Sequence, residues 1–247
     1  MDEKKERIDD LEYEGLKIIQ RPDWFCFGID SVLLSEYAKD IPKKRIVMDL
    51  GSGNGILSIL LSKKIEPKKI IGIEIQKELA EMANRSILLN HLQDIVEIQN
   101  KNIKELKEKG KASSIDAIVT NPPYKERLTG IPNEKIQKMI ARHEMEATLK
   151  DFIEISSFLL KPNGQFYIVY RPERLVELIT LLREHEMEPK KVRFVFSKIE
   201  KEPKLVLLKA VKGAKPFLEV EKPLILYNEN GEYTEEVLTI YHKEKKK

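Results

Sequence analysis

The stretch that most constrains this chain is Asp49-Leu50-Gly51-Ser52-Gly53-Asn54-Gly55, which follows an apolar run of strand length, Arg45 to Leu50, and precedes a helical run, Ile56 to Lys64. A strand, a loop with glycine at alternate positions and a helix form a nucleotide-cradling turn, because glycine lets the backbone come close to a ligand. Such turns belong to α/β chains whose ligands gather at the C-terminal ends of parallel strands. A dehydrogenase places a third glycine where Ile56 stands, for close helix contact and a pyrophosphate at the helix N-terminus. Here a carboxylate, Asp49, opens the loop. It repels a pyrophosphate and suits a cation or an ammonium group. S-adenosyl-L-methionine carries both a sulfonium and an α-amine.

Three further runs extend the sheet. Ile70 to Ile75 holds Glu74 near its end, where a carboxylate can accept both ribose hydroxyls of a nucleoside. A plain surface acid is the alternative, and it fits poorly inside an apolar buried strand. The run Ile95 to Gln99 leads to Asn102, whose amide stands where it could meet the adenine of the cofactor. The run Ile115 to Thr120 stops at Asn121-Pro122-Pro123-Tyr124. Prolines fix φ and remove N–H donors, so the corner is stiff, and the Asn121 carboxamide and the Pro122 carbonyl are aimed at one point beside the flat face of Tyr124. Two acceptors and an aromatic ring are what an extruded base or a planar amide needs. Taken alone, the tetrapeptide also reads as a proline-rich turn with Tyr124 in the core.

At 247 residues and 41% hydrophobic, the chain can bury a sizeable core as one large domain, with residues 1-40 as an N-terminal extension and cap helix and 41-247 as the main body. Its longest apolar runs are too short to span a membrane, and the charged N-terminus lacks the apolar core of a signal peptide. A single cysteine, Cys26, excludes an intramolecular disulfide, and the expected home is the reducing cytoplasm. With His91, His143, His185 and His242 scattered, no metal site is expected. From Pro189 to Lys215 nine basic residues stand against two acidic ones, a patch that suits phosphate contacts or, equally, a solvated lysine-rich face.

Along the chain, Leu16 to Gln20 reads as an edge strand, and Trp24, Phe25 and Phe27 read either as core or as a wall of the site. Asp30-Ser31 caps a helix from Val32 to Ala38. A helix spans Lys77 to His91, and another runs from Leu149 to Leu160 before the turn Lys161 to Gly164 and a strand from Gln165 to Tyr170. Pro172 starts a helix reaching His185; Val192 to Lys198 and Lys204 to Val211 form an antiparallel ribbon, and a last helix starts at Thr234. The polar connection Lys125 to Ala147, with Lys125, Arg127, Lys135, Lys138 and Arg142, is long enough to close over a substrate strand.

In this order and spacing, Asp49 to Gly55, Glu74 and Asn121 to Tyr124 resemble the class I S-adenosylmethionine-dependent methyltransferases of the Asn-Pro-Pro-Tyr type, which methylate exocyclic amines of bases or an amide nitrogen. A closer resemblance, over nearly the whole chain, is to the tRNA1(Val) adenine-37 N6-methyltransferase group. It is carried by Phe27-Gly28-Ile29-Asp30-Ser31-Val32-Leu33-Leu34, Ala141-Arg142-His143-Glu144, Pro203-Lys204-Leu205-Val206-Leu207-Leu208 and Gly213-Ala214-Lys215-Pro216. The family type usually has Asp where Asn102 stands.

The resemblance implies an α/β, Rossmann-like class I methyltransferase fold: a mostly parallel seven-stranded sheet with an antiparallel edge ribbon and helices on both faces. It implies S-adenosyl-L-methionine as cofactor and N6-methylation of an adenine in a structured RNA such as a tRNA. The candidate residues are Asn121, Pro122 and Tyr124 for catalysis, and Asp49, Gly51, Gly53, Gly55, Glu74, Asn102 and Asn121 for the cofactor. Substrate contacts are expected from Tyr124, Lys125, Arg127, Arg142 and His143, and neither a metal nor a membrane partner is expected. Glutamine N5-methylation is disfavoured because only 48 residues precede Asp49, where such relatives carry a helical domain. Guanine N2-methylation of ribosomal RNA stays open, and the intact site residues weigh against a non-catalytic RNA-binding module.

Overall fold

The computed structural model describes residues 6–22, 28–124 and 147–241. Its centre is β3 (Ile46–Leu50), flanked by β4 (Lys69–Glu74) on one side and β6 (Ile115–Thr120) on the other, all parallel. Beyond β4 lies β5 (Val96–Asn100); beyond β6 lies β7 (Leu160–Tyr170). The ribbon follows as β9 (Pro203–Lys212) antiparallel to both β7 and the outer β8 (Met187–Phe196).

The sheet has nine strands rather than seven. Two short strands, β10 (Glu219–Val220) and β11 (Leu224–Ile225), lie parallel on the outer edge of β8, in the tail ahead of the last helix. They occupy backbone groups that an edge strand would otherwise leave unpaired.

Side chains alternate across these strands, so each supplies two layers. Val47, Val119, Tyr167, Val169 and Leu207 face one core, shared with α1 (Ile29–Tyr37), α2 (Ile56–Lys64), α3 (Lys77–Leu89) and α7 (Glu235–Ile240). Met48, Ile118, Phe166, Ile168 and Val206 face the other, shared with α4 (Glu105–Lys109), α5 (Leu149–Leu159) and α6 (Leu175–Glu184), the last entered through a 3-10 turn at Pro172–Arg174. Helix α5 starts at a reciprocal cap between Thr148 and Asp151. Thr234 caps α7 by accepting the Val237 N–H.

Three local expectations change. The run Leu16 to Gln20 does not extend the main sheet; β2 (Lys17–Gln20) pairs antiparallel with β1 (Arg7–Asp10) in a separate hairpin. That hairpin is held on α3, where Ser86 Oγ accepts the Ile19 N–H (3.0 Å) and Asn90 bonds both the N–H and the C=O of Lys17 (2.8 and 2.6 Å). Side chains on the helix thus replace the missing neighbour strand. Helix α1 starts after Gly28 without a side-chain cap, so Asp30 and Ser31 lie inside its first turn and are free for other partners. The segment Lys161 to Gly164 is drawn into β7 as a bulge, between the pairs Ile115↔Leu160 and Ala117↔Gln165.

Candidate active site

Strands β3 to β6 are parallel, so their C-terminal ends meet at one edge, where open α/β sheets bind ligands. Leu50 pairs with Ile73 on one side and with Thr120 on the other. The glycine loop, Glu74 and Asn121 therefore leave neighbouring strands spaced about 4.8 Å apart.

Asp49 is 1% exposed and accepts a hydrogen bond from Ser58 Oγ of α2 (2.8 Å). Burial pushes its carboxyl up to about 7, with the nearby Glu74 charge adding to the rise and the Ser58 bonds opposing it. Glu74 is 2% exposed and accepts the Gly53 N–H on one oxygen (2.8 Å) and the Gln76 N–H on the other (2.9 Å). The acid expected to meet a ribose thus also fixes the glycine loop, and each oxygen keeps a lone pair for a further donor.

Gly51, Gly53 and Gly55 all have positive φ (73°, 56° and 82°). At Gly55 a side chain would also be crowded, since a Cβ would stand 3.0 Å from that of Ala83 on α3. At Gly53 a Cβ would meet nothing within 4 Å, so the loop faces open space there. Ile56, which stands at the third glycine of a dehydrogenase loop, opens α2 and is buried. Asn54 Nδ2 donates to Gln20 of β2 (3.3 Å), joining the hairpin to the loop. Asn102 lies beyond β5 with its carboxamide oxygen accepting the Lys104 N–H (2.9 Å).

Two buried carboxylates without a basic partner among the described residues, set beside an open loop face, fit a ligand that is cationic and rich in hydroxyls. S-adenosyl-L-methionine answers to that chemistry.

The Asn-Pro-Pro-Tyr corner leaves β6 one strand away. Pro122 is buried, and among the described residues nothing donates to its carbonyl. The Asn121 amide is engaged at both ends: Nδ2 donates to Ser31 Oγ (3.1 Å), and Oδ1 lies 2.5 Å from the Tyr124 hydroxyl. That hydroxyl also lies 2.9 Å from Asp30 Oδ2. Burial, and then the Asp30 carboxylate, hold the Tyr124 phenol well above its ordinary range. Its ring packs edge-on against Tyr170 (centroids 5.8 Å apart), and the Arg171 guanidinium lies 5.1 Å from its centroid.

Sequence reasoning did not assign Asp30, Ser31 or Arg171 to the site. A signal for the first two existed, a polar pair inside the quoted segment Phe27 to Leu34. Lys125, Arg127, Arg142 and His143, and the aromatic cluster Trp24, Phe25 and Phe27, lie outside the described residues.

The basic segment is largely spent within the fold. Lys191 faces Glu219 and Glu221, Arg193 reaches Glu236, Lys209 reaches Asp40, and Lys212 donates to the carbonyls of Ser157 and Leu160. Among the described residues no group of three or more His, Cys, Asp or Glu side chains is arranged to hold a metal, and no helix is long and apolar enough to cross a membrane.

Comparison with known proteins gives three findings. The family model described as methyltransferase small domain matches residues 16–195. The chain is similar to the tRNA1(Val) (adenine(37)-N6)-methyltransferase of Porphyromonas gingivalis (28% identical over 185 residues, 73% of this chain and 72% of that protein) and to the enzyme of the same name in Parabacteroides distasonis (28% over 215 residues, 86% and 87%). Among solved structures, it superposes on a protein of Agrobacterium tumefaciens described as a predicted O-methyltransferase, with a TM-score of 0.70 at 18% identity, covering 86% of this chain and 95% of the other.

Proposed function

We propose that this chain, which belongs to the methyltransferase small domain family, methylates the N6 amine of an adenine in a tRNA, using S-adenosyl-L-methionine. The observation that carries the reading is the stiff Asn121-to-Tyr124 corner standing one strand from the glycine loop. The similarity to enzymes named for adenine-N6 methylation of tRNA supports this acceptor over guanine or a protein glutamine.

When bound, S-adenosyl-L-methionine supplies an electrophilic methyl group on a sulfonium. Asp49 and Glu74 would hold its amine and ribose, the bare backbone at Gly51, Gly53 and Gly55 would admit it, and the amides of Asn102 and Asn121 would border it. Asn121 Oδ1 and the Pro122 carbonyl are two acceptors for the two N–H bonds of an exocyclic amine. Such an amine is a weak nucleophile because its lone pair is delocalised into the ring. Accepting both hydrogens favours tetrahedral geometry at nitrogen and spreads the positive charge that develops there. Placement of the amine supplies most of the remaining acceleration. The Tyr124 ring offers a stacking surface for the extruded base, a contact worth about 1 to 3 kcal/mol.

The test is Asn121→Ala, assayed for methyl transfer to tRNA from cells lacking this protein. Turnover is expected to fall by about 100-fold or more, as for other lost charge-stabilising contacts, a much larger change than in the calorimetric Kd for the cofactor. Near-normal turnover would contradict the role given to Asn121.

A further inference from the structure

The Tyr124 hydroxyl has one proton and two acceptors within reach. Its oxygen lies 2.9 Å from Asp30 Oδ2 and 2.5 Å from Asn121 Oδ1. Burial keeps the proton on the phenol, so it is shared within this trio rather than lost. The two destinations differ in consequence. Given to Asn121, the proton takes one of the two lone pairs of the oxygen that the proposed mechanism assigns to the substrate amine, and weakens the other as an acceptor. Given to Asp30, it leaves Asn121 Oδ1 facing only the phenol lone pairs, an unfavourable contact that an incoming N–H relieves. The two pulls oppose each other: the shorter distance points the proton at Asn121, whereas the carboxylate, which accepts about twice as strongly as a neutral oxygen, offers it a second place at Asp30 once an N–H claims Asn121 Oδ1.

Ser31 meets the other end of the amide, its Oγ accepting from Asn121 Nδ2 (3.1 Å). Asp30 and Ser31 are consecutive in the first turn of α1, whose residues Val32, Leu33 and Leu34 are buried in the core. One anchored element therefore touches both partners, Asn121 through Ser31 and Tyr124 through Asp30.

We propose that Asp30 is a positioning residue for methyl transfer: its carboxylate takes the Tyr124 hydroxyl proton as substrate arrives and so frees Asn121 Oδ1 for an N–H of the substrate's exocyclic amine. This rests on the reading of Asn121 as the amine acceptor. Asp30 itself does not meet the amine; it acts through Tyr124. Removing the phenol hydroxyl must therefore abolish its effect.

The test is a double-mutant cycle of Asp30→Asn and Tyr124→Phe, read as single-turnover methyl transfer to tRNA from cells lacking the protein, with cofactor Kd and thermal midpoint measured for each variant. Asp30→Asn keeps the size of the side chain and weakens the acceptor; Tyr124→Phe keeps the stacking ring and removes the contested proton. Asp30→Asn alone is expected to slow transfer about tenfold or more. In the Tyr124→Phe background it is expected to slow transfer by less than about twofold, with cofactor Kd unchanged throughout.

Equal losses in both backgrounds would overturn the proposal, as would no loss in either. So would a loss confined to cofactor affinity or to the thermal midpoint, which would assign Asp30 to the cofactor site or to the fold. Near-normal turnover of Asn121→Ala defeats the underlying reading. An inactive Asn121→Ala with no coupling between positions 30 and 124 defeats only the role given to Asp30.

Discussion

Asp49 shows how one residue ties stability to ligand binding. Burial raises its carboxyl from 3.8 to about 7, so across that window the folded chain holds a proton that the unfolded chain has lost. Stability from this group is therefore full below 3.8 and is lost as pH rises toward 7. Above that pH the fold holds an unpaired buried carboxylate, which a cationic ligand would neutralise. Asp49→Asn keeps an oxygen for Ser58. In thermal melts above pH 7 without cofactor it should unfold at a higher temperature than the wild type, by about 2 to 4 °C for each kcal/mol gained, with the gap closing as pH falls. Calorimetry should find the same variant binding S-adenosyl-L-methionine more weakly. A lower midpoint at alkaline pH, or unchanged affinity, would remove Asp49 from the proposed cofactor site. The position of Asp49 was legible because its chemistry is local: strand, carboxylate and glycines are contiguous. That of Asp30 was not. Its sequence neighbours suggest a helix cap, and its partner Tyr124 arrives 94 residues later.

Among the elements, the N-terminal hairpin has the most to do for its size. Its second strand, β2, has no strand neighbour beyond β1, and Ser86 of α3 and Asn90 at the end of that helix stand in for one. Through Gln20 and Asn54 the same hairpin touches the glycine loop. Asn90→Ala removes two bonds to Lys17 and should destabilise the protein by about 1 to 2 kcal/mol in urea unfolding. A change near zero would mean that water replaces both bonds. An apolar run at Leu16 to Gln20 announces a strand but not its docking site, because the groups that receive it are polar and lie more than sixty residues away. The bulge in β7 has a similar origin. Lys161, Pro162, Asn163 and Gly164 carry turn chemistry, and they do leave the ladder, yet pairing resumes on the same neighbour and one strand spans both parts.

At the scale of the molecule, the strands ordered β5-β4-β3-β6-β7 are parallel, and their apolar runs announce buried strands without announcing that order. The order of the ribbon is no more legible. That β9 inserts between β7 and β8, and that two short strands cover β8, depends on pairings between segments of similar composition. The charge of that region was equally ambiguous in one dimension. A local excess of lysine and arginine suggested phosphate contacts, whereas Lys191, Arg193, Lys209 and Lys212 meet carboxylates and carbonyls brought in from β10, α7, α5 and the end of α1. What survives as the organising fact is the edge where four parallel strands end, with the proposed cofactor cradle on β3 and β4 and the proposed amine-accepting corner on β6. The most direct measurement is nucleoside analysis of tRNA from cells lacking the protein, after incubation with the purified chain and methyl-labelled S-adenosyl-L-methionine. The label should appear in N6-methyladenosine and disappear with Asn121→Ala; label in N2-methylguanosine, in protein glutamine or in no product would contradict it.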